Sequence, residues 1–495
     1  MQKGPKMKNP MKPLCWIRGN AILAMCVLAL AALGSASNAK AAILPVTTLD
    51  DSGPGSLRQA IADAALSGDT IIFRVHGTIM LTSGALTIDK GLEIRGHGPR
   101  HLKISGNNAG RVFVIQPGGS VTLAGMTVSD GQADANSPIL ASVGGGIFNR
   151  ATLILSDVVV SDSQALGAAG KSPMSFPGGG FGGGVANAGV LTVEDSLFID
   201  NLARGGDGSS PQGTDRPLAG FGGGGGIMNY GRLTIIGSRF RHNQAIGGND
   251  NQSLYLSGHG YGGAIASGAA GATLVVSASE FDHNRAIGGN GNISPQPATV
   301  GPNKSSGGAI DVVGGTATID GCTLRHNRSV GGVGASGAEG GIGAGGAIVA
   351  TNFGKIGTFT TISNSRVEHN VALGGPGGEG GGNGGEGEGG GLTSTAGAML
   401  TVVGTTVAHN HSRGGEGITG GNGLGGGLYD STDATLILQD AIVARNLALG
   451  GRGEDCQSRG EGIGGGVYYL GTYDADEATV IERNHATTSN DNVGP

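Results

Sequence analysis

Cysteine is scarce in this chain, with four in 495 residues. Cys15 and Cys26 stand in an N-terminal stretch that reads as removable, which leaves Cys322 and Cys456. Those two lie three repeats apart in the periodic pattern described below. Stacked coils sit ~4.8 Å apart, so three coils exceed the ~7 Å that a disulfide allows between Cα atoms. The fold therefore does not depend on disulfides. Cys322 takes the place that serine holds at Ser238, Ser279 and Ser365, and reads as a buried side chain. Tryptophan is rarer still: the single one is Trp16, so the tryptophan signals of propeller blades are missing, as are hairpin turn pairs. No repeat offers ten residues of helical period free of glycine, which excludes helical solenoids.

Positive charge is concentrated where it does not stay. The first eighteen residues carry Lys3, Lys6, Lys8, Lys12 and Arg18 with no acid. Ala21 to Leu33 is then uninterruptedly apolar, followed by Ser37-Asn38-Ala39-Lys40-Ala41. Charged, apolar and small-residue regions in that order form a secretory signal peptide, cleaved after Ala39 or Ala41. The apolar run is shorter than the roughly 20 residues that span a bilayer, and Met25 before Cys26 argues against a lipoprotein cysteine. The chain reads as secreted or held at the cell surface, with no transmembrane segment once residues 1–41 are gone. Their removal takes six of the 31 Lys+Arg and none of the 37 Asp+Glu, leaving a net charge of −12. An acidic exterior excludes nucleic acid and anionic membrane surfaces, which require basic patches.

Glycine is abundant, at 103 residues with 17 prolines, close to the composition of low-complexity disorder. A period argues otherwise. Gly262 to Gly289 reads GGAIASGAAGATLVVSASEFDHNRAIGG, and the same order recurs from Gly144, Gly182, Gly224, Gly307, Gly345, Gly389, Gly425 and Gly464, spaced 36 to 45 residues apart. Each copy supplies two glycines, an aliphatic residue and about three short strands; Ser-x-Phe-x-x-Asn stands at 196–201, 238–243 and 279–284, and Phe gives way to Leu324, Val367, Val407, Val443 and Ile481 in later copies. Variation in length falls in the Gly-rich segment before the next double glycine, such as Asp207 to Phe221 or Asn290 to Ser306. Insertions at one point per coil stack along one edge, often the binding edge.

Before the repeats, Ser56 is a candidate N-cap for a helix with Leu57, Ile61, Ala64 and Ala65 on one face, ending near Gly68 before a strand Thr70 to Phe73. Such a unit covers the open end of a solenoid. Short alternating strands follow at Leu86–Ile88, Leu92–Ile94, Leu102–Ile104, Val112–Val114 and Val121–Leu123. The expected organisation is signal peptide 1–41, cap 42–75, an all-β right-handed parallel β-helix over 76–484, and a tail 485–495.

Two tetrapeptides carry a family resemblance. Residues 262–265, 307–310 and 345–348 are GGAI, and residues 198–201, 240–243 and 281–284 are FxxN. Their alternation resembles the repeats of the polymorphic outer-membrane proteins of chlamydiae and related autotransporter passengers. The start SGPGSLRQAI followed by GDTIIF is similar to many right-handed β-helix proteins of this kind. The resemblance implies an adhesin-like surface protein. It resembles a passenger without its translocator barrel.

The repeated positions divide into columns. The final asparagines Asn201, Asn243, Asn284, Asn327, Asn370, Asn410, Asn446 and Asn484 read as a structural ladder in left-handed turns. Asn149, Asn187 and Asn229 form a shorter second set, and Phe198, Phe240 and Phe281 begin an inward apolar column. His242, His283, His326, His369 and His409 precede the asparagines; regular histidines suit metal binding or proton sensing, or simply a polar turn position. Arg241, Asp282, Arg325 and Glu368 alternate in sign one residue earlier. They read as an exposed charge ladder, or as a sugar-cleaving face with Asp282 and Glu368 two coils apart, ~9.6 Å by backbone spacing. Phe181, Phe221 and Tyr261, each before a double glycine, form a stack that binds sugar rings or pins the insertions. Glu386, Glu388, Glu454 and Asp455 offer oxygen ligands of the kind calcium takes, without a complete calcium motif; no other cofactor is indicated. Three functions fit: an adhesin binding a host, cell-surface or matrix protein or polysaccharide; a polysaccharide lyase or hydrolase; and a structural surface component.

Overall fold

A computed structural model describes residues 41–65, 68–134, 142–170, 178–208, 218–253, 256–294, 301–352 and 354–495. The signal-peptide reading of 1–41 falls almost wholly outside them. Residues 42–495 form one compact unit. The unit is a right-handed parallel β-helix. Every strand pairs in parallel with the equivalent strand one coil away, which gives sheets of 23, 12, 10 and 8 strands along the solenoid, the last two beginning at Gln132 and Gly180, and a two-stranded sheet of Leu218–Ala219 with Leu256–Ser257.

One coil shows how the sequence builds this. Gly260–Tyr261 lies in the fourth sheet and Ile265–Gly268 in the second. Thr273–Ser277 and Glu280–Asp282 follow in the first sheet, separated by a bend, and Arg285–Ile287 lies in the third. Five strands therefore make a coil where the sequence suggests three. The two extra ones flank the double glycine and are too short to show a period. Gly262 sits at φ +64°; a Cβ there would lie 2.2 Å from the Ile265 carbonyl oxygen, so only glycine makes this corner.

Alternate residues of each strand point inward. Leu274, Val276 and Phe281 are buried in one core that continues from Val46 to Val467. Phe198, Phe240 and Phe281 stack with ring centroids 4.8 and 4.9 Å apart. Each buried ring removes about 1.5–3 kcal/mol of apolar exposure, and stacked rings add about 0.5–1.5 kcal/mol.

The insertions join the third sheet to the fourth in each coil. From residue 331 onward they form an ordered layer of backbone. Gly332, Gly375, Gly415 and Gly451 make one column, and Gly341, Gly385, Gly421 and Gly460 a second. Amide and carbonyl alternate between them: Gly375 donates to Gly341 at 2.8 Å, Gly385 to Gly375 at 2.9 Å, and Gly415 to Gly385 at 2.8 Å. A Cβ on Gly415 would lie 1.9 Å from the Gly375 oxygen. The high glycine content is thus a packing requirement, because chains this close leave no volume for side chains.

At the N-terminus, Ser56 caps the helix Leu57–Asp63 by accepting from the Gln59 amide at 3.2 Å. The helix ends several residues before Gly68. Buried Asp69 accepts from the backbone amides of Ala42 and Ala65 at 2.7 Å each and draws the chain out of the helix; Ala65 is exposed, not on the buried face. An unforeseen strand Ile43–Val46 pairs with Asp69–Phe73. At the other end the expected tail continues the coil: His485–Ala486 and Val493–Gly494 pair with the preceding turn. No described helix is long and apolar enough to cross a membrane.

Candidate functional site

The asparagine positions meet as a continuous ladder. The Asn243 Nδ2 donates to the Asn284 Oδ1 at 3.0 Å, Asn284 to Asn327 at 3.0 Å, and the series runs from Asn201 to Asn484 and on to Asn492. Each Nδ2 also reaches a backbone carbonyl of the preceding coil, as Asn284 does to Phe240 at 2.9 Å. Buried amides thereby keep their partners, which costs little compared with an unpaired polar group. The asparagines themselves are not the left-handed residues. That conformation belongs to the residue before each: Asp200, His242, His283, His326, His369, His409, Arg445 and Arg483 all have φ between 53° and 57°. The asparagine must aim its amide along the axis, so the chain reverses one residue earlier. Asn149, Asn187 and Asn229 form the second ladder, at 2.7 and 2.8 Å, ending on Ser267. A third, Asn251–Asn292–Asn303, lies in the insertions; irregular spacing there hides it in the sequence.

The histidines line the outer side of the same turns as a stack, with centroids 4.8 to 5.5 Å apart. Burial and the neighbouring His409 and His326 push the His369 imidazole below its usual range, with Glu368 opposing.

Arg241, Asp282, Arg325 and Glu368 are register partners in successive coils. The column departs from the exposed ladder expected of it: Asp282 is only 4% exposed. Its carboxylate accepts from His283 Nδ1 at 2.8 Å, His326 Nδ1 at 3.2 Å and Arg241 at 3.2 Å, with Arg325 Nε at 3.5 Å. Burial opposes its ionisation, but the bonds from His326, Arg241 and His283 outweigh burial and hold it below the usual carboxylate range. A carboxylate held ionised among cations serves as a structural counter-ion and is a poor proton donor. Arg325 also bonds Glu280 at 2.5 Å and stands between Asp282 and Glu368. Asp282, His283 and His326 are, among the described residues, the grouping able to hold a metal ion, with ligand atoms within 4.8 Å of one another. The two guanidinium groups already neutralise that carboxylate and disfavour a further cation.

The three aromatic residues do not form a single stack. Phe181 pairs with Gly223, and Gly223 with Tyr261; the five-glycine run Gly222–Gly226 displaces Phe221, which stacks on His259 with centroids 5.1 Å apart. A Cβ on Gly223 would lie 2.7 Å from the Tyr261 ring, so the glycine leaves the space that the ring occupies. Phe181, Phe221, Met228 and Ala266 form a small apolar cluster outside the main core, with Tyr261 packed against it.

Farther along this corner lies a set of acids that no sequence motif marks. Glu388 falls in the column of Tyr261, Ser306 and Ala344, and is 6% exposed. Burial pushes its carboxyl up to about 7, with Lys304 opposing and Glu386 adding. Asp311, bonded by Ser306 at 2.6 Å, is pushed up to about 6 by burial, against Ser306 and Lys304. The position of Glu388 in the Tyr261 column is the signal that points to it. Of the other calcium candidates, Asp455 accepts from the Gln457 and Ser458 amides in its own loop, while Glu386 accepts from Asn422 at 3.2 Å. Cys322 is buried and Cys456 exposed, both free; Cys322 donates its amide to Ser365 Oγ in the serine column.

These features define a parallel β-helix solenoid with stacked polar ladders. No family model and no curated relative matches the sequence, so the likeness to the chlamydial repeats rests on GGAI and FxxN alone. Among solved structures, the catalytic domain of GH87 α-1,3-glucanase in complex with nigerose is similar at 11% identity, over 88% of this chain and 68% of that chain, with a TM-score of 0.38. Bacteriophage CBA120 tailspike protein 3 is similar at 12% identity, over 86% of this chain and 59% of that one, with a TM-score of 0.28. The A-module of Azotobacter vinelandii mannuronan C-5 epimerase AlgE6 is similar at 12% identity, over 88% and 98%, with a TM-score of 0.25. The likeness is one of fold.

Proposed function

We propose that the chain is an extracellular, adhesin-like protein that presents its stacked insertions to a host, cell-surface or matrix partner, protein or polysaccharide. The insertion edge carries this reading. The insertions leave the coil between the same two sheets, and glycine columns hold the later ones in a fixed layer. Ile293, Val333 and Ile418 are 46, 38 and 40% exposed along that edge, where a binding face needs apolar contact. The test is a binding screen of residues 42–495 against matrix proteins and polysaccharides, repeated with Val333→Asp/Ile418→Asp. Binding that this variant loses supports the reading; binding that it retains places the face elsewhere.

A polysaccharide lyase or hydrolase is the second reading, supported by Asp311 and Glu388 with raised carboxyl pKa values two coils apart. The charged column around Asp282 supports it less, because that carboxylate is ionised and paired. Depolymerisation abolished by Glu388→Gln would favour the enzyme over the adhesin.

A further inference from the structure

The first sheet is divided by the bend before each FxxN strand, and its two outer surfaces differ. Past the bend the outward residues carry more of the charge, at Arg239, Arg241, Glu280, Asp282, Arg325, Arg366 and Glu368, while Leu197, Ile199, Thr323, Thr406 and Ile442 are uncharged. Before the bend the middle outward column is free of charge from Thr122 to Ile437. It carries Thr122, Thr192, Thr234, Thr318, Thr361 and Thr401, and the remaining coils place isoleucine or valine there. The outward columns on either side add Thr152, Thr273, Thr316 and Thr435, and their only charges are Glu194, Arg232 and Asp320.

This surface is uncovered. Val190, Ile236, Val275 and Phe359 on it are 39, 43, 43 and 56% exposed. β-Branched residues suit the middle of any strand, which accounts for each position singly. It does not account for so little charge on an acidic protein, or for the greater charge past the bend in the coils from Arg239 to Glu368. The pairing is residue for residue without a bulge. Threonines therefore lie ~4.8 Å apart between adjacent coils in the runs Thr192–Thr234 and Thr318–Thr361–Thr401, and Thr316 and Thr318 stand roughly 6.6 Å apart on one strand. The asparagine ladder and filled core make that surface rigid.

Such a face suits a partner that is itself flat, uncharged and periodic. A protein interface draws its energy from a few bulky anchors in pockets, and Phe359 is the sole aromatic among these outward positions. Ionic surfaces need charge that is missing here. A crystalline lattice of water satisfies the pattern: methyl groups seat in its hollows while hydroxyls continue its hydrogen bonding, and a rigid array loses little entropy on contact. We infer that the threonine face of the first sheet binds ice. It is independent of the reading given to the insertion edge.

The experiment measures ice-crystal growth and recrystallisation with residues 42–495, beside an equal concentration of albumin. The wild-type protein is expected to slow both and to facet the crystals. Thr234→Tyr/Thr318→Tyr is expected to lose most of this effect, severalfold or more, while Arg366→Tyr past the bend retains it. Far-UV circular dichroism and melting establish that the variants are folded; should the double tyrosine variant unfold, Thr318→Val/Thr361→Val, which removes only hydroxyls, takes its place. Ice growth no different from albumin overturns the inference. So does an effect unchanged by the threonine substitutions, or a dimer that these substitutions dissociate, which would assign the face to a second copy of the chain.

Discussion

His326 Nδ1 reaches back across one coil to Asp282 Oδ1 at 3.2 Å. The bond ties two turns of the histidine stack through a carboxylate that Arg241 also grips. Removing the carboxylate leaves the Arg241 guanidinium and two imidazoles without this acceptor, while Arg325 keeps Glu280. Asp282→Ala is therefore expected to destabilise by about 1–3 kcal/mol, read as a lower midpoint in urea. The folded carboxyl titrates below its unfolded value, so its contribution is present above the unfolded pKa and is lost as the pH falls through the folded one. Wild-type protein should therefore lose part of its stability on acidification below about pH 4, and the alanine variant should lack that component.

Glu388 has the opposite sign. Its folded carboxyl is raised to about 7, so its contribution is complete below the unfolded pKa and is lost as pH rises through about 7. Glu388→Gln should melt higher than wild type at pH 8, by an amount of the order of 3 kcal/mol at most. At pH 4.5 the two should nearly coincide. Melting curves at the two pH values check this, and equal shifts at both would contradict it.

Asn284 makes bonds in both axial directions. Asn284→Ala leaves several buried groups without partners, and an expected loss of about 1–3 kcal/mol per unsatisfied group lowers the melting temperature. Unchanged stability would count against the ladder as a source of stability.

The repeat makes the coil, the apolar column and the asparagine column legible from the amino-acid order alone, because a side chain that recurs at one offset must meet its own copies. What the sequence hides has equally physical causes. The strands beside the double glycine are two to four residues long, too short for a period. The left-handed turn residue lies one position before the asparagine, which tolerates that conformation and yet leaves it to His283. The aromatic column slips because Gly222–Gly226 offers more than one glycine pair to count from. Asp282 is outward by strand alternation, and only the neighbouring coils, with Arg241, His326 and Arg325, bury it. Glu388 reads as an acid in a loop, while its neighbours above and below make it a buried one.

The glycine layer yields a paired substitution. Gly415→Ala would bring a Cβ within 1.9 Å of the Gly375 oxygen, and overpacking of this kind costs about 1–3 kcal/mol. Gly110 has open space around its Cβ position, and Gly110→Ala should leave the melting temperature nearly unchanged. Equal effects from the two would remove the packing explanation for the glycine content.

Presentation of the insertions as a fixed edge rests on that layer, and amide hydrogen exchange of residues 331–342, 374–386 and 414–422 tests it most directly. Amides of Gly341, Gly375, Gly385, Gly415 and Gly421 donate within the layer and should exchange as slowly as those of Glu280–Asp282 and Thr323–Arg325. Exchange at the rate of free loops, while the strands stay protected, would contradict the fixed edge and the binding face built on it.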